Sequence, residues 1–284
     1  MTPKICAILI TYNRLDILKK SLDCVVQQKL APETILVVDN NSSDGTSEYI
    51  SSLKYPNMEL MRLEENVGSA GGIAVGMEYA LKKDIYDYVW VLDDDTYYSE
   101  DTTQQLVDAT NQGYDYVGLT GYNIRFGNKR AVHNDLKLQP IDYTLIDGSL
   151  IRMSVVKKIG LVDAGFFMMC DDHEYCLRAQ KHGFKVGLLN IAVERLYLGG
   201  EGNFTKATLW RGYYSSRNMM IIVKKYFHLT LLLGYLFRQS KILVAALLFA
   251  PDRQKRVKYR LMGIWHGLIN KKGKTLDPST LRFR

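Results

Sequence analysis

Three consecutive carboxylates, Asp93, Asp94 and Asp95, follow an apolar run that begins at Val89. The run has β-branched and aromatic residues and no charge, so it predicts a buried strand ending at the acids. Acidic side chains this close together repel one another, and a cation or a donor-rich ligand would stabilise them. Their oxygens suit Mg²⁺ or Mn²⁺, which bridge carboxylates to substrate phosphates. A solvated acidic turn that caps the next helix is the alternative, and the triplet alone does not decide between them.

The elements around this triplet alternate between strand-like and helix-like patterns. Strands are predicted over residues 5–11, 34–39, 58–63 and 88–92, and helices over residues 15–28, 44–53, 69–83 and 99–111. This alternation predicts an α/β fold with a mostly parallel sheet covered by helices. In such sheets, ligands bind beyond the carboxyl ends of the strands.

Polar residues and glycines gather at those carboxyl ends. They occupy residues 11–14 after the first strand, 39–45 after the second and 64–72 after the third, and the triplet 93–95 follows the fourth. Each group alone could be a helix cap or a turn. Four such groups at one edge of a sheet favour a nucleotide site, in which glycines let the backbone approach the ligand. The glycine spacing matches neither the dinucleotide-binding pattern nor the Walker loop.

A second acidic group lies further along the chain. Asp171, Asp172 and Glu174 are expected to begin a helix, with Arg178 one turn beyond Glu174. Carboxylates at a helix N-terminus can serve only as caps, which is one interpretation. The other is that one of them acts as a base, while Glu174 and Arg178 pair to stabilise the helix.

Charge divides the chain into two parts. Residues 224–284 contain 14 Lys or Arg against two acids, so the first 223 residues carry −5 of the total formal charge of +7. We therefore expect one domain over residues 1–223 and a basic helical extension over residues 224–284. The four cysteines show no Cys-x-x-Cys spacing, which favours reduced thiols over a disulfide framework or a zinc site.

The motifs together resemble family 2 glycosyltransferases, inverting nucleotide-sugar enzymes with the GT-A fold, a Rossmann-like nucleotide-binding architecture. The matching segments are residues 10–14, 37–46, 65–72, 92–95, 147–149 and 170–178, and the resemblance covers about residues 4–220. The segment 66–72 with Leu-Asp-Asp-Asp is most similar to the branch of galactofuranosyl- and rhamnosyltransferases that build surface polysaccharides.

The resemblance implies roles for individual residues. The nucleotide-sugar would be bound by Thr11, Tyr12, Arg14, Asp39, Asn66, Gly68, Asp93 and Asp94. Asp95, with Asp93, would hold Mg²⁺ or Mn²⁺ on the leaving diphosphate. Many relatives complete this metal shell with a histidine, but residues 195–201 contain none, so either Glu201 or water replaces it or the metal is held loosely.

The acceptor side is implied in the same way. Asp172 would be the base that deprotonates the acceptor hydroxyl, and Asp171 would bind the acceptor or tune its neighbour. Further acceptor-binding candidates are Asp147, Gly148, Ser149, Arg211 and Arg217. The alternative for the two arginines is a purely structural helix, which packs its aromatic residues against the rest of the domain and has the arginines at the edge of that contact.

The basic extension contains two apolar pieces, residues 229–237 and 242–250, separated by the charged residues 238–241. Neither piece reaches the roughly 20 residues that span a bilayer. Helices lying on an anionic membrane surface are the preferred interpretation, and a buried hairpin or a homo-oligomer interface is the alternative. The extension has no nucleic-acid-binding motif, so nucleic acid is not expected as a partner.

The expected function is transfer of a sugar from a nucleotide-sugar donor to a lipid-linked cell-surface glycan, on the cytoplasmic face of the membrane. UDP-galactofuranose is the preferred donor by resemblance, and dTDP-rhamnose is the alternative. A noncatalytic nucleotide-sugar-binding scaffold is the alternative from another class of protein.

Overall fold

A mixed sheet forms the centre of the protein in the computed structural model, which describes residues 2–132, 136–196 and 204–284. The strands are β1 Ile5–Thr11, β2 Thr34–Asp39, β3 Met58–Arg62, β4 Tyr88–Asp93, β5 Thr96–Tyr97, β6 Tyr116–Gly118, β7 Gly121–Arg125, β8 Asn128–Ala131, β9 Leu138–Pro140, β10 Tyr143–Thr144, β11 Ser149–Arg152, β12 Val186–Leu189 and β13 Glu194–Arg195. The helices are α1 Leu15–Val26, α2 Thr46–Ser52, α3 Gly68–Lys83, α4 Thr102–Asn111, α5 Met153–Ile159, α6 Asp171–Lys181, α7 Lys206–Lys225, α8 Leu229–Phe249 and α9 Arg253–Leu268.

Within the described residues, the main sheet has the strand order β3-β2-β1-β4-β11-β6-β12-β9. The first four strands in this order are parallel to one another, and β11 and β9 run against their neighbours. Because the chain moves outward from β1 to β3 and then returns to the other side of β1, the strand order reverses between β1 and β4. Ligands bind at such a reversal, beyond the carboxyl ends of the strands.

Two hydrophobic layers cover this sheet. In β1, Cys6, Ile8 and Ile10 pack in one layer, and Ile5, Ala7 and Leu9 pack in the other. Both faces are buried, which explains why the strand is apolar throughout instead of alternating. The α/β fold with a mostly parallel, helix-covered sheet is therefore confirmed.

Two small sheets extend this core. Strands β10, β7 and β8 form one of them, in which β7 and β8 make a hairpin, and β5 pairs with β13 in the other. The hairpin stands beside the N-terminus of α6, because β10 packs against that helix.

The C-terminal region is helical, as predicted, but two details differ. The two apolar pieces are one continuous helix, α8, of 21 residues. The polar stretch between them continues the helix, since Arg, Gln and Lys are good helix formers, and Gln239 is buried there, where it accepts hydrogen bonds from Ser216 (3.2 Å) and Arg260 (3.2 Å). By length and composition alone, α8 is the helix among the described residues that could cross a membrane.

The predicted border between residues 223 and 224 lies inside α7, which continues to Lys225. Helix α9 packs along α7, and the chain after α9 returns to the body, where the Gly273 N–H donates to Gly165 O (2.7 Å). The division into domains 1–223 and 224–284 stays a prediction.

Candidate active site

The strand ends at the reversal point bring the predicted residues together. In the parallel register, Thr11 pairs with Asp39 across β1 and β2, and Ile10 pairs with Asp93 across β1 and β4. A cavity of about 690 Å³ opens beyond these strand ends. Its lining includes the predicted residues Thr11, Tyr12, Arg14, Asn66, Gly68, Asp93, Asp94, Asp95, Asp147, Asp171, Asp172 and Arg211. The other predicted residues, Asp39, Gly148, Ser149 and Arg217, lie outside this lining.

Arg14 and Thr11 organise the acidic triplet. Arg14 Nη1 donates to Asp94 Oδ1 (3.0 Å) and Asp95 Oδ2 (2.9 Å), and Thr11 Oγ1 donates to Asp94 Oδ2 (2.8 Å). Burial raises the pKa of both carboxyl groups, and the Arg14 charge opposes that rise. Burial and then repulsion from Asp147 raise the pKa of Asp93 well above its usual value.

The oxygens of the acidic triplet are of the type that a hard divalent cation binds. The triplet places carboxylate oxygens at the cavity wall, and such oxygens bind Mg²⁺ or Mn²⁺ together with substrate phosphates. Among the described residues, no group of three or more His, Cys, Asp or Glu side chains is arranged to hold a metal. A metal here would therefore take ligands from the substrate or water. The predicted ligand Glu201 lies outside the described residues.

Asp39 lies beneath the strand ends and is fully buried. Its carboxylate accepts from Ser42 N (2.8 Å) and Ser47 Oγ (2.5 Å), and Arg62 lies 3.6 Å away. These contacts hold the turn after β2, and the predicted contact with a nucleobase stays a prediction.

Gly68 brings two parts of the cavity wall into contact. Its φ is +78°, and a Cβ there would lie 2.0 Å from the carbonyl oxygen of Phe167. The adjacent Asn66 Oδ1 accepts from Gly68 N (2.9 Å), and Ala70 N donates to Phe167 O (3.2 Å). The glycine therefore permits the loop before α3 to meet the loop before α6.

The loop before α6 carries the base candidates. Phe167, Met169 and Cys170 all have positive φ, which side-chain-bearing residues rarely adopt, so the surroundings must hold the loop. Asp171 and Asp172 follow at the N-terminus of α6. Burial raises the pKa of both, and repulsion from Asp172 helps bring that of Asp171 to about 7.

Glu174 serves the architecture of the site. Its buried carboxylate accepts from Arg178 Nη2 (2.8 Å), as expected, and also from Lys225 Nζ (2.8 Å) and Tyr226 Oη (2.5 Å). The predicted pair within α6 is thus also a link from α6 to the end of α7.

Asp147, like Glu174, has a structural role. It accepts from Asp93 N (2.8 Å), Thr96 Oγ1 (2.7 Å) and Tyr98 Oη (2.6 Å), and it forms an ion pair with Arg195. These partners use most of the acceptor capacity of its carboxylate, which fixes the end of β4. Its neighbours do not reach the cavity: Gly148 donates its N–H to Val91 O (2.8 Å), and Ser149 is fully buried. Acceptor binding by all three residues stays a prediction.

The two predicted arginines of α7 have different positions. Arg211 lines the cavity, where burial and then the charge of Arg14 lower its pKa. Arg217 is fully buried, and its Nη atoms donate to Phe166 O (2.8 Å) and Gly273 O (2.7 Å). The guanidinium therefore joins the loop before α6 to the C-terminal segment, and contact with the acceptor stays a prediction for both residues.

Some cavity residues lie outside every motif. They include Lys129 in the β7–β8 hairpin, Arg238 in α8, and Lys274 and Asp277 after α9. Nothing in their local sequence indicates a site, since each lies far from the motifs along the chain. The excess of basic residues after position 223 is the only sequence feature that points to Arg238 and Lys274, and none points to Lys129 or Asp277.

The comparisons with known proteins agree with this geometry. The profile of glycosyl transferase family 2 matches residues 6–173, which is more than half of the chain. The protein therefore belongs to glycosyl transferase family 2 and is a glycosyltransferase, as predicted. The alternative of a noncatalytic scaffold is set aside.

Two curated relatives match at low identity. The galactofuranosyltransferase GlfT1 of Mycolicibacterium smegmatis is 28% identical over 208 residues, which are 66% of this chain and 68% of that protein. A poly-beta-1,6-N-acetyl-D-glucosamine synthase of Staphylococcus aureus is 26% identical over 197 residues. That match covers 63% of this chain but 46% of the synthase, so the chain spans less than half of its length.

Solved structures share the fold. TarS 1–349 of S. aureus, in complex with UDP-GlcNAc, has a TM-score of 0.60 at 15% identity and covers 93% of this chain and 81% of its own. The mannosyltransferase PcManGT of Pyrobaculum calidifontis, in complex with GDP-Man and Mn²⁺, has a TM-score of 0.60 at 14% identity and covers 95% and 88%. The predicted GT-A fold is confirmed.

Proposed function

We propose that the protein is an inverting glycosyltransferase that moves a sugar from a nucleotide-sugar to a hydroxyl of a lipid-linked cell-surface glycan. UDP-galactofuranose is the proposed donor. The observation that carries the proposal is the single cavity of about 690 Å³ that contains both the Asp93–Asp95 triplet and the pair Asp171 and Asp172. Sugar transfer needs one set of side chains beside the donor diphosphate and another beside the acceptor hydroxyl, and this cavity contains both.

The chemistry assigns one acid group to each side of the reaction. Asp172 takes the proton of the acceptor hydroxyl while that oxygen attacks the anomeric carbon of the donor. The bond from this carbon to the diphosphate breaks, and the nucleoside diphosphate leaves with the electron pair. Burial raises the pKa of Asp172, which makes its carboxylate a stronger base, and the charge of Asp172 in turn helps raise the pKa of its neighbour Asp171.

The donor side neutralises the leaving group. Arg14 and Arg211 lie in the cavity beside the triplet, where their charges can meet phosphate oxygens. Asp95 and Asp93 would hold Mg²⁺ or Mn²⁺, which stabilises the negative charge that develops on the diphosphate. The Mn²⁺ in the mannosyltransferase complex supports this assignment.

The proposed donor is inferred from the similarity of this chain to known proteins. The relative from M. smegmatis is named a galactofuranosyltransferase, and the TarS complex contains UDP-GlcNAc, which together support UDP-galactofuranose. The alternative donor is dTDP-rhamnose, from the same branch of the family. The carboxylates at the edge of the cavity would repel the donor diphosphate. Arg14 or a metal must therefore balance their charge when the diphosphate enters.

Helix α8 supports a membrane-associated acceptor. Its outer side exposes apolar residues, and basic residues of α8 and α9 accompany them. Such a surface favours an anionic bilayer on the cytoplasmic side, where the acceptor lipid would lie. A homo-oligomer interface on the same surface is the other proposed partner.

The test begins with a donor screen. We expect UDP-galactofuranose with Mn²⁺ to raise the melting temperature more than either alone, because a ligand that binds the folded state stabilises it. UDP release in the presence of a bacterial envelope lipid extract then measures transfer. Stabilisation by dTDP-rhamnose in place of the UDP-sugar would select the alternative donor, and no response to any nucleotide-sugar would reject the proposal.

Asp172→Asn tests the base. We expect transfer to fall about 10²–10⁴-fold while donor binding is retained, because the amide cannot accept the proton. Asp108→Asn, an exposed substitution on α4, is the matched control and should leave transfer unchanged. Normal transfer by Asp172→Asn would remove the assignment of the base.

A further inference from the structure

A second group of cations lies in the cavity, away from the strand ends. Lys129 reaches it from β8, and Arg238 reaches it from α8. Both charges act on the base helix: after burial, they help lower the pKa of His173 to about 4. The Lys129 charge also opposes the rise that burial causes in the pKa of Asp172. These cations therefore belong to the acceptor side of the cavity.

Aromatic rings set the position of Lys129. Its Nζ lies 5.0 Å from the ring centres of both Tyr122 and Tyr143, a distance at which the ammonium is attracted to the rings. The Tyr143 ring stacks on His173 with 4.7 Å between centres. Since His173 directly follows Asp172, the ammonium is held near the base by a chain of contacts.

The hairpin and α8 are packed as one unit. A Cβ on Gly127 would lie 2.2 Å from Gly234 O, and a Cβ on Gly234 would lie 2.6 Å from Gly127 N. Two glycines at this crossing thus allow the backbones to touch. The rings of Phe126 and Phe237 pack beside it with 5.6 Å between centres. The contact keeps the hairpin that bears Lys129 next to the helix that bears Arg238.

Helix α8 presents different chemistry on its two sides. Leu231, Tyr235 and Arg238 face the cavity. On the outside, the exposed apolar residues of α8 are Leu229, Leu233, Leu236, Phe237, Val244, Leu247, Leu248 and Phe249. Exposed apolar surface of this extent marks an interaction site. The helix is therefore a wall between a cationic pocket and an apolar outer surface.

We propose that Lys129 and Arg238 bind the diphosphate of an amphiphilic acceptor, whose apolar chain leaves the cavity along the outer face of α8. The assignment rests on the proposed sugar transfer and identifies its acceptor. Cations on two elements, packed together, can grip a diphosphate, and their charges offset the repulsion between that group and Asp172. The donor diphosphate has its own cations, Arg14 and Arg211, so the two anions bind separately.

Farnesyl diphosphate is the probe, because it carries the diphosphate and an apolar chain but no sugar. Its binding to the full chain is measured by calorimetry with UDP and Mn²⁺ at saturation, which fills the donor site. We expect Lys129→Gln and Arg238→Gln each to weaken binding about tenfold, as the loss of a hydrogen bond to a charged group does. Lys241→Gln, an exposed substitution on α8, is the matched control and should bind like the unaltered protein.

Two further ligands, each containing only one part of the probe, test the two contacts separately. Farnesol and inorganic pyrophosphate should each bind at least about tenfold more weakly than farnesyl diphosphate, because each lacks one of the two contacts. Equal binding of farnesol would mean that only the apolar face is used, and equal binding of pyrophosphate would mean a site for free anions. Either result overturns the proposal, as does a probe that binds without UDP but fails to bind when UDP is at saturation.

Variants are compared only after their melting temperatures and UDP binding match those of the unaltered protein. If Arg238→Gln fails to fold, Lys129→Gln on the separate hairpin decides alone, and its unchanged binding overturns the subsite. Failure of sugar transfer is a different result: the probe would still bind in a Lys129-dependent manner, while no nucleotide-sugar would be consumed.

Discussion

The contact at Gly68 is the point where the donor and acceptor sides of the cavity meet, and Gly68→Ala tests it. The added Cβ would lie 2.0 Å from Phe167 O and 2.7 Å from Phe167 C. A carbon–oxygen contact needs about 3.3 Å, so the two loops must separate by about 1.3 Å. Overpacking of this kind costs about 1–3 kcal/mol, and an alanine at φ +78° costs about 1–2 kcal/mol more.

The expected loss in the free energy of unfolding is therefore about 2–5 kcal/mol. At roughly 2–4 °C per kcal/mol, the melting temperature measured by circular dichroism should fall by about 4–20 °C. The turnover number should also fall, by about 10–100-fold, because Phe167 begins the loop that leads to Asp172 and a shift near 1 Å misplaces the base.

Gly113→Ala is the matched control. Gly113 has a similar φ of +94°, but nothing lies within 4 Å of its added Cβ. It should lose only the conformational part, about 1–2 kcal/mol, and keep its turnover number. Equal losses of stability in the two variants would refute the view that the contact with Phe167 matters, and a Gly68→Ala enzyme with normal turnover would separate the contact from catalysis.

Two other predictions concern the base and its support. Because burial raises the pKa of Asp172 and protonation disables a base, kcat/KM should fall with decreasing pH at a value above the usual aspartate pKa of about 3.9. Lys129→Gln should move this acidic limb to higher pH, since it removes the charge that opposes the rise, and a limb at the ordinary value would contradict the assignment. Arg217→Lys should lower the free energy of unfolding by about 3 kcal/mol in thermal denaturation, because buried carbonyls lose their donors. The exposed Arg253→Lys should change it little, and equal losses in both variants would contradict this role.

The sequence by itself determined the four parallel strands on one side of the sheet and the motifs at their ends. Strands β1 and β2 have the predicted bounds, because a short, continuous apolar run that ends in polar residues is typical of a strand buried on both faces. The acidic triplet and the N-terminus of α6 were also identified, since each is a local pattern of a few residues.

Only the tertiary structure decided which charged residues reach the cavity. Arg211 and Arg217 are six positions apart on one helix, yet the first lines the cavity and the second is buried among backbone carbonyls. Local sequence does not distinguish them, because their partners lie on other segments of the chain. The same holds for Lys129 and Arg238, which lie 109 positions apart in the sequence. The contact between Gly127 and Gly234 brings their two elements together. Contacts between distant segments depend on how whole elements pack, and no local pattern records that packing.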